Sequence, residues 1–460
     1  MERIKIKALL AAGTPVERVL IKGWVRTRRD SKTFSFIEVN DGSCLANIQV
    51  IAEDLLENYE MIKRLTTGSA VAVIGRLRES PGKGQKWELY ADRMDIYQIA
   101  PEVYPLQKKR HTDEFLRTIG HLRPRTNKYG AAFRIRSELA HAVHRFFRDR
   151  GFVHVHTPII TGSDTEGAGE LFCVTTLTPE GLRAGEYPAL YEQDFFGRKA
   201  NLTVSGQLAA EMFALALSDV YTFGPTFRAE NSHTARHAAE FWMVEPEMAF
   251  CDLEENMKNA EALVRHLVGH VREHCAEDLD LFAQFVDKTL PETLDSIMDN
   301  AFVRLSYEEA VTLLNGSGQS FEYPVSYGKD LQTEHERYLA DIHFKQPVIV
   351  YNYPREIKPF YMRVNDDGKT VAAMDVLVPR IGEIIGGSQR EERLDMLSER
   401  MLETGLDPAD YWWYLDSRRY GSVPHSGYGL GFERMIMLVT GIANIRDVIP
   451  FPRIPGSIEF

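Results

Sequence analysis

Between Val19 and about Ile99 the chain is cut into short strand-like runs, and no other feature limits its fold as tightly. VLIKGWVRTRR, TFSFIEVNDGS, ANIQVI, AVAVIGRLRES and KWELYADRMDIY are each rich in β-branched or aromatic residues, and NDGS and SPGKG break them. About five strands in so short a segment suit a small closed barrel of the OB type, since closure removes the exposed edges of the sheet. Within TFSFIEV, Phe34 and Phe36 alternate with polar neighbours and so share one face. They are either barrel core or an aromatic platform for unpaired bases, flanked by Arg26, Arg28, Arg29 and Lys32.

Charge bears on that choice. The 460 residues carry a net charge of −12, which taken whole speaks against a nucleic-acid partner. Residues 1–136, however, hold 25 Lys and Arg against 16 Asp and Glu, or +9, and residues 137–460 hold 29 against 50, or −21. A basic module precedes an acidic body, and local positive charge is what attracts phosphates. A chain of this length needs more than one core. We expect a barrel over 1–101, a Pro-bearing basic linker over 102–128, and a larger domain over 129–460 with a helical insertion at about 252–300. The four cysteines are scattered without a CxxC pair, which argues for a reducing compartment and against structural zinc. MERIKIKALLAAGTPVERV holds only a brief apolar run, so neither a secretory signal nor a membrane anchor is expected, and the cytoplasm is the expected location.

From Tyr129 an amphipathic helix is expected, with Ile135, Leu139 and Phe146 on its apolar stripe and Gly151 at its end. Farther on, strand-like runs such as EFWMVEPEMAF, PVIVYNY, VAAMDVLV and GEIIGG alternate with helices. VSGQLAAEM reads as a helix start, with Ser205 able to cap it and Gln207 and Glu211 four apart on one face. That face is either solvated or part of a pocket.

Three stretches combine residue types that a nucleotide-using site needs. In GPTFRAENSHTARHAAEFWMVEPEM, Arg228 and Glu230 are expected to alternate along a strand, and Arg236, His237 and Phe241 follow a polar loop. Arginine can clamp a phosphate and an aromatic can stack on a base, although an Arg–Glu pair on one face could equally be a structural ion pair. In HSGYGLGFERMIMLVTG, Gly427, Gly429 and Gly431 alternate, giving a strand face without side chains, and Arg434 stands at the helix start that follows. In AAMDVLVPRIGEIIGGSQREERLD, Asp375 and Glu383 fall near the ends of two apolar strands, where they could share Mg²⁺ with a phosphate or sit on an exposed hairpin. Arg390 is expected to begin a helix.

Taken in this order, these stretches resemble the signature motifs of class II aminoacyl-tRNA synthetases. GFVHVHTPII with Pro158 is similar to motif 1, TFRAE…RHAAEF to motif 2 and GLGFER to motif 3. A barrel joined to such a domain resembles the subclass for aspartate, asparagine and lysine. TVSGQL, TFGPTFRAENS, GEIIGGSQREERLD, DYWWYLDSRRYGSVPHSG and RDVIPFPR resemble its asparagine branch. The resemblance implies an α+β fold, in which an OB barrel precedes an antiparallel sheet flanked by helices.

It also implies partners and roles. ATP, L-asparagine, tRNA(Asn) and Mg²⁺ would be bound, and a homodimer would form through motif 1 around Pro158. Arg228 would be the catalytic residue, bridging the amino-acid carboxylate and the ATP α-phosphate. Glu230, Phe241 and Gly431 would hold the adenosine end, and Arg236, His237 and Arg434 the phosphates. Asp375 and Glu383 would bind Mg²⁺, with Glu383 also at the ATP. Glu166, Ser205, Gln207, Glu211 and Arg390 would line the amino-acid pocket. In the barrel, Phe36 would stack on the central anticodon base, with Arg28, Gln49 and Glu88 nearby. The aspartate enzymes carry a lysine in QLxKQ where this chain has Ala210 beside Glu211. Glu211 is therefore expected to accept from the asparagine amide and to repel aspartate.

Overall fold

The computed structural model describes residues 1–163, 171–178, 189–232 and 234–460, so Glu166 lies outside the described residues. Two compact units divide the chain, Met1–Arg134 and Ile135–Phe460, and the division falls inside helix α1 (Asn127–Asp149).

In the first unit, β1 (Val16–Asp30), β2 (Phe34–Asn40), β3 (Ile48–Glu53), β4 (Ala70–Glu79) and β5 (Trp87–Gln98) close a barrel in the order β1-β2-β3-β5-β4. Alternation fills the interior: Val19, Ile21 and Val25 of β1 meet Ile37 and Val39 of β2, all buried. A barrel this small forces strands together. At Gly75 an added Cβ would stand 2.1 Å from the Tyr90 carbonyl oxygen, so no side chain fits there. Phe34 and Phe36 are only half-buried, on the opposite parity from the buried Ser35 and Ile37. They therefore lie outside the barrel core.

In the second unit an eight-stranded sheet carries everything discussed below. Its strands are β6 (Val153–His154), β10 (Asp219–Phe227), β11 (Glu240–Ala249), β12 (Val303–Ser306), β13 (Val348–Pro354), β14 (Thr370–Val378), β15 (Gly382–Gln389) and β16 (His425–Gly431). They run in the order β12-β13-β14-β15-β16-β11-β10-β6, antiparallel except for the pairs at the two edges. A small three-stranded sheet is built from β7 (Ile160–Thr161), β8 (Cys173–Val174) and β9 (Ala200–Leu202).

The expected insertion is three helices, α3 (Leu253–His274), α4 (Ala276–Phe285) and α5 (Leu290–Asp299), which follow α2 (Gln207–Leu217) in the chain. It is part of the core rather than an appendage. Asp252 caps α3 by accepting the Glu255 N–H at 2.9 Å. Met257, Ala260, Leu263, Val264 and Leu267 then bury one stripe of α3, which packs against β14, β15 and β16. Burying that stripe on the sheet, rather than helix propensity, accounts for most of its stability.

Candidate functional site

Two adjoining pockets lie over this sheet. The first is walled by Arg228, Glu230, Arg236, His237, Phe241, Gly431 and Arg434. Arg228 and Glu230 are not on a strand. β10 ends at Phe227, and one further bond, from the Arg228 N–H to the Ala239 carbonyl at 3.0 Å, precedes a polar loop. The Arg228 guanidinium sits 5.6 Å from the Phe241 ring centroid. Helix α7 (Phe432–Thr440) starts directly after β16, so Gly431 and Arg434 reach the pocket together. Arg434 Nη1 donates to the Glu383 carbonyl at 2.8 Å and pairs with its Oε2 at 3.3 Å. Burial and the neighbouring Arg434 push His237 below the usual imidazole range.

The second pocket shares Arg228, Met243, Glu383 and Gly429 with the first and adds Ser205, Gln207, Glu245, Glu247, Lys358, Asp375 and Arg390. Glu245 and Glu247 of β11 project from the same face as Phe241 and Met243, two residues apart in each step. Glu245 accepts the Gly206 N–H at 3.0 Å, and the Ser205 hydroxyl donates to it. The start of α2 is thus capped by a carboxylate from β11, with Ser205 accepting the Gln207 N–H at 3.0 Å.

Arg390, fully buried, follows β15 in extended backbone, and the next helix begins only at Leu394. The expected helix start at Arg390 is therefore displaced, because its N–H donates to the His425 carbonyl at 2.8 Å and so continues the ladder with β16. Its side chain grips Glu247 through Nε (3.1 Å) and Nη2, while Nη1 donates to the Ser388 hydroxyl at 2.9 Å. The glycine strand makes room for this pair. A Cβ on Gly427 would stand 2.3 Å from the Glu247 carboxyl carbon, and one on Gly429 would stand 2.5 Å from the Met243 methyl. At Gly427 the smooth strand face therefore seats a neighbouring side chain, whereas Gly429 and Gly431 border the pockets. Gly427→Ala should displace Glu247 from Arg390 and raise the KM for the ligand of the second pocket at least about tenfold, with Tm lowered by a few degrees. Unchanged saturation kinetics would show that Glu247 adapts.

Asp375 and Glu383 meet at the junction of the two pockets. They stand on paired strands, and a Cβ on Gly386 would lie 3.1 Å from Glu383 Oε1 and 3.4 Å from Asp375 Oδ1. Both oxygens thus border the same gap. Burial pushes Asp375 above its usual range against the pull of Lys358, whose ammonium is 3.0 Å from Oδ2. Glu383, whose side chain is the more exposed of the two, is held below its range by Arg434 and Lys358. Among the described residues no three His, Cys, Asp or Glu side chains are placed to hold a metal alone. Two hard carboxylate oxygens bordering one gap fit the ligand chemistry of Mg²⁺.

On the barrel, Phe34, Phe36, Gln49, Glu88, Arg29 and Tyr90 line a cleft. β3 and β5 run parallel there with Gln49 opposite Glu88, and Gln49 Nε2 donates to Glu88 Oε1 at 3.0 Å. Ser80 and Gln85 donate to the same oxygen, each at 2.7 Å.

Comparison with known proteins decides the family. Residues 112–455 match the class II tRNA synthetases (D, K and N), and residues 19–97 match the OB-fold nucleic acid binding domain. The asparagine--tRNA ligase of Nitratidesulfovibrio vulgaris (strain Hildenborough) is 65% identical over 100% of both chains, and that of Nostoc sp. is 59% identical over 99% of both. The asparaginyl-tRNA synthetase of Pyrococcus horikoshii, solved as a complex with asparaginyl-adenylate, superposes with a TM-score of 0.86 at 33% identity, covering 100% of this chain and 99% of that one. The chain belongs to the asparagine--tRNA ligases, within the class II tRNA synthetases. It is a ligase, with the α+β layout of that family.

Several synthetase residues sit differently from expectation. Glu211 shares a face with Gln207, but it lines neither pocket and lies behind Gln207 and Arg390 in a buried polar cluster. It accepts from Gln207 Nε2 (3.0 Å), the Tyr414 hydroxyl (2.8 Å) and Arg418 Nη2 (2.7 Å), and lies 3.1 Å from His425 Nε2. It is fully buried and absent from the pocket lining. With its oxygens saturated, Glu211 is not available as a direct acceptor for a substrate amide, and Glu247 is the carboxylate that faces the pocket beside Arg390. Despite burial, Arg418, His425 and Arg390 hold the Glu211 carboxyl well below the usual range.

Arg28 likewise turns from the barrel cleft, donating to the Lys63 carbonyl and pairing with Asp30 at 3.4 Å. Strand alternation puts Arg29 there instead, opposite Phe36 in the β1–β2 register and 4.9 Å above its ring. Sequence reasoning also missed Glu245, Glu247 and Lys358. The alternation Phe241, Met243, Glu245, Glu247 was a readable signal for the two glutamates. Lys358, in a loop segment, offered none.

Proposed function

We infer that this chain activates L-asparagine with ATP and transfers it to the 3′ end of tRNA(Asn). The observation that carries the reading is Arg228, shared by a pocket with the features of a nucleotide site and a pocket with the features of an amino-acid site. An asparagine carboxylate oxygen would attack the α-phosphorus in line as the bond to the bridging β-oxygen breaks. Pyrophosphate leaves and asparaginyl-adenylate remains. The 3′-terminal ribose hydroxyl of the tRNA would then attack the adenylate carbonyl, and AMP leaves. No protein nucleophile is needed. Arg228 would stabilise the charge that builds on the α-phosphate, and Arg236, His237 and Arg434 would hold the outer phosphates. Phe241 would stack on adenine, with Glu230 and Gly431 beside it. Asp375 and Glu383 would hold Mg²⁺, which when bound neutralises phosphate charge.

In the amino-acid pocket, Ser205 and Gln207 would border the backbone of the substrate. The amide oxygen of asparagine would accept from Arg390 and its NH₂ would donate to Glu247. An aspartate would put a second anionic oxygen against Glu247, which disfavours it. In the barrel cleft, Phe36 would stack on an anticodon base, with Gln49 and Glu88 reading its neighbours and Arg29 supplying charge. A homodimer through the segment around Pro158 fits the position of β6 as an outer strand with Val153 exposed. The site of action would be the cytoplasm; among the described residues no helix is long and apolar enough to cross a membrane.

ATP–pyrophosphate exchange with asparagine and aspartate side by side tests the reading. Exchange should depend on asparagine, and its absence would sink the proposal. Glu247→Gln replaces the carboxylate paired with Arg390 by an amide and should shrink the asparagine-over-aspartate ratio of kcat/KM by about 10- to 100-fold. An unchanged ratio would take Glu247 out of the selection.

A further inference from the structure

Among the pieces of chain that wall the first pocket are β11 at Phe241, the start of α7 at Glu433 and Arg434, and the C-terminal segment at Ile445 and Pro455. Nothing in the mechanism above says what holds them in register. One residue of helix α1, Arg136, is ion-paired with one of them and hydrogen-bonded to another, and it reaches the third through Glu433.

Arg136 Nη2 pairs with Glu433 Oε1 at 2.8 Å, and the Glu433 side chain is 2% exposed. The other oxygen of that carboxylate, Oε2, accepts the Trp242 N–H at 2.9 Å. This second bond has a topological reason. β11 and β16 pair as far as Met243 opposite Gly431, where β16 turns into α7. The Trp242 N–H, one residue past that end, would otherwise lack a strand partner, and the Glu433 side chain takes the place of the missing carbonyl. Phe241 is the next residue along. Arg136 Nη1 also donates to the Val448 carbonyl at 3.3 Å, three residues beyond Ile445, and its guanidinium lies 5.0 Å from the Phe432 ring. Burial pushes Glu433 up, while Arg136 and the Trp242 N–H draw it back down.

We propose that Arg136 is a positioning residue for the nucleotide pocket: by gripping Glu433 and the Val448 carbonyl, it sets the spacing between Phe241, Arg434 and the C-terminal segment. It touches no substrate in this scheme. The proposal rests on reading the first pocket as the ATP site.

In asparagine-dependent exchange, Arg136→Gln should raise the KM for ATP about tenfold and leave the KM for asparagine within about twofold. Arg136→Lys, which keeps the charge without the planar fork, should recover part of the loss. Stabilisation of the protein by ATP alone in thermal melts reads nucleotide binding without the reaction, and the ATP concentration required should rise by the same factor. An unchanged KM for ATP, or equal rises for both substrates with a lowered Tm, would overturn the role. If Arg136→Gln does not fold, Glu433→Gln keeps an acceptor for Trp242 and drops the charge that Arg136 grips. It should show the same selective rise, and no rise would overturn the proposal. A wild-type protein that exchanges with asparagine but is not stabilised by ATP, whatever the Arg136 variants do, would instead fault the reading of the pocket.

Discussion

Arg228→Gln should lower kcat for asparagine-dependent pyrophosphate exchange about a thousandfold while leaving the fold intact. Arg228 lines both pockets and is partly exposed, so its loss opens no buried cavity and Tm should stay within a few degrees. Its effect is expected in the transition state. Charge grows on the α-phosphate oxygens as the asparagine carboxylate attacks, and a fixed guanidinium there meets it without reorganising. Removing one such preorganised donor costs on the order of 10²- to 10³-fold in kcat, and an arginine that also orients the attacking carboxylate sits at the upper end. Two assays separate the roles. Pyrophosphate exchange reads chemistry, and thermal shift with ATP or asparagine reads binding. A kcat within tenfold of wild type would remove Arg228 from the catalytic role and leave it as a binding residue.

Glu211→Ala should strongly destabilise the second unit. The carboxylate is fully buried and holds Arg418 and His425, also fully buried, together with the Tyr414 hydroxyl and the Gln207 amide. Arg418 and Tyr414 come from helix α6 (Trp412–Arg419), His425 from β16 and Gln207 from α2. Truncation leaves a guanidinium in a dry cavity without its counter-charge, which typically costs about 3–5 kcal/mol. A drop in Tm on the order of 10 °C is expected.

The pocket should feel the change as well. Gln207 lines the second pocket and donates its amide N–H to Glu211, so the KM for asparagine should rise several-fold more than the KM for ATP. The pH dependence has a definite sign. The folded carboxyl lies below the ordinary glutamate value of 4.5, so its contribution is complete above that value and fades as pH falls through the lower folded one. The Tm gap between wild type and Glu211→Gln should therefore be constant near neutrality and narrow in acid. A gap that instead widened in acid would mean the cluster is not held by this charge.

The two variants bracket how much of the site was legible in the residues. Arg228, Glu230, Phe241, Gly431 and Arg434 stand in stretches whose local chemistry points to phosphate and base, and the structure brings them to one pocket. Glu211 was read from helical spacing. Spacing of four shows that Gln207 and Glu211 share a face, but not what the face meets, because that depends on α6 and β16 arriving from roughly 200 residues away. Arg28 and Arg29 failed in the same way. Their charge was visible, and the register with Phe36 decided which one stands over the cleft.

What the sequence alone determined were the things set by local pattern. Turn residues and β-branched runs specify a closed barrel, alternation places Phe34 and Phe36 together, and the Gly427–Gly429–Gly431 series marks a strand without side chains on one face. Tertiary structure decided which of several buried carboxylates line the second pocket. Glu211, Glu245 and Glu247 are chemically alike, and each is defined by the cations and N–H groups that long-range packing brings to it. In a buried interior that company fixes charge, hydrogen-bonding capacity and access together, so which carboxylate can meet a ligand is set by packing rather than by residue type.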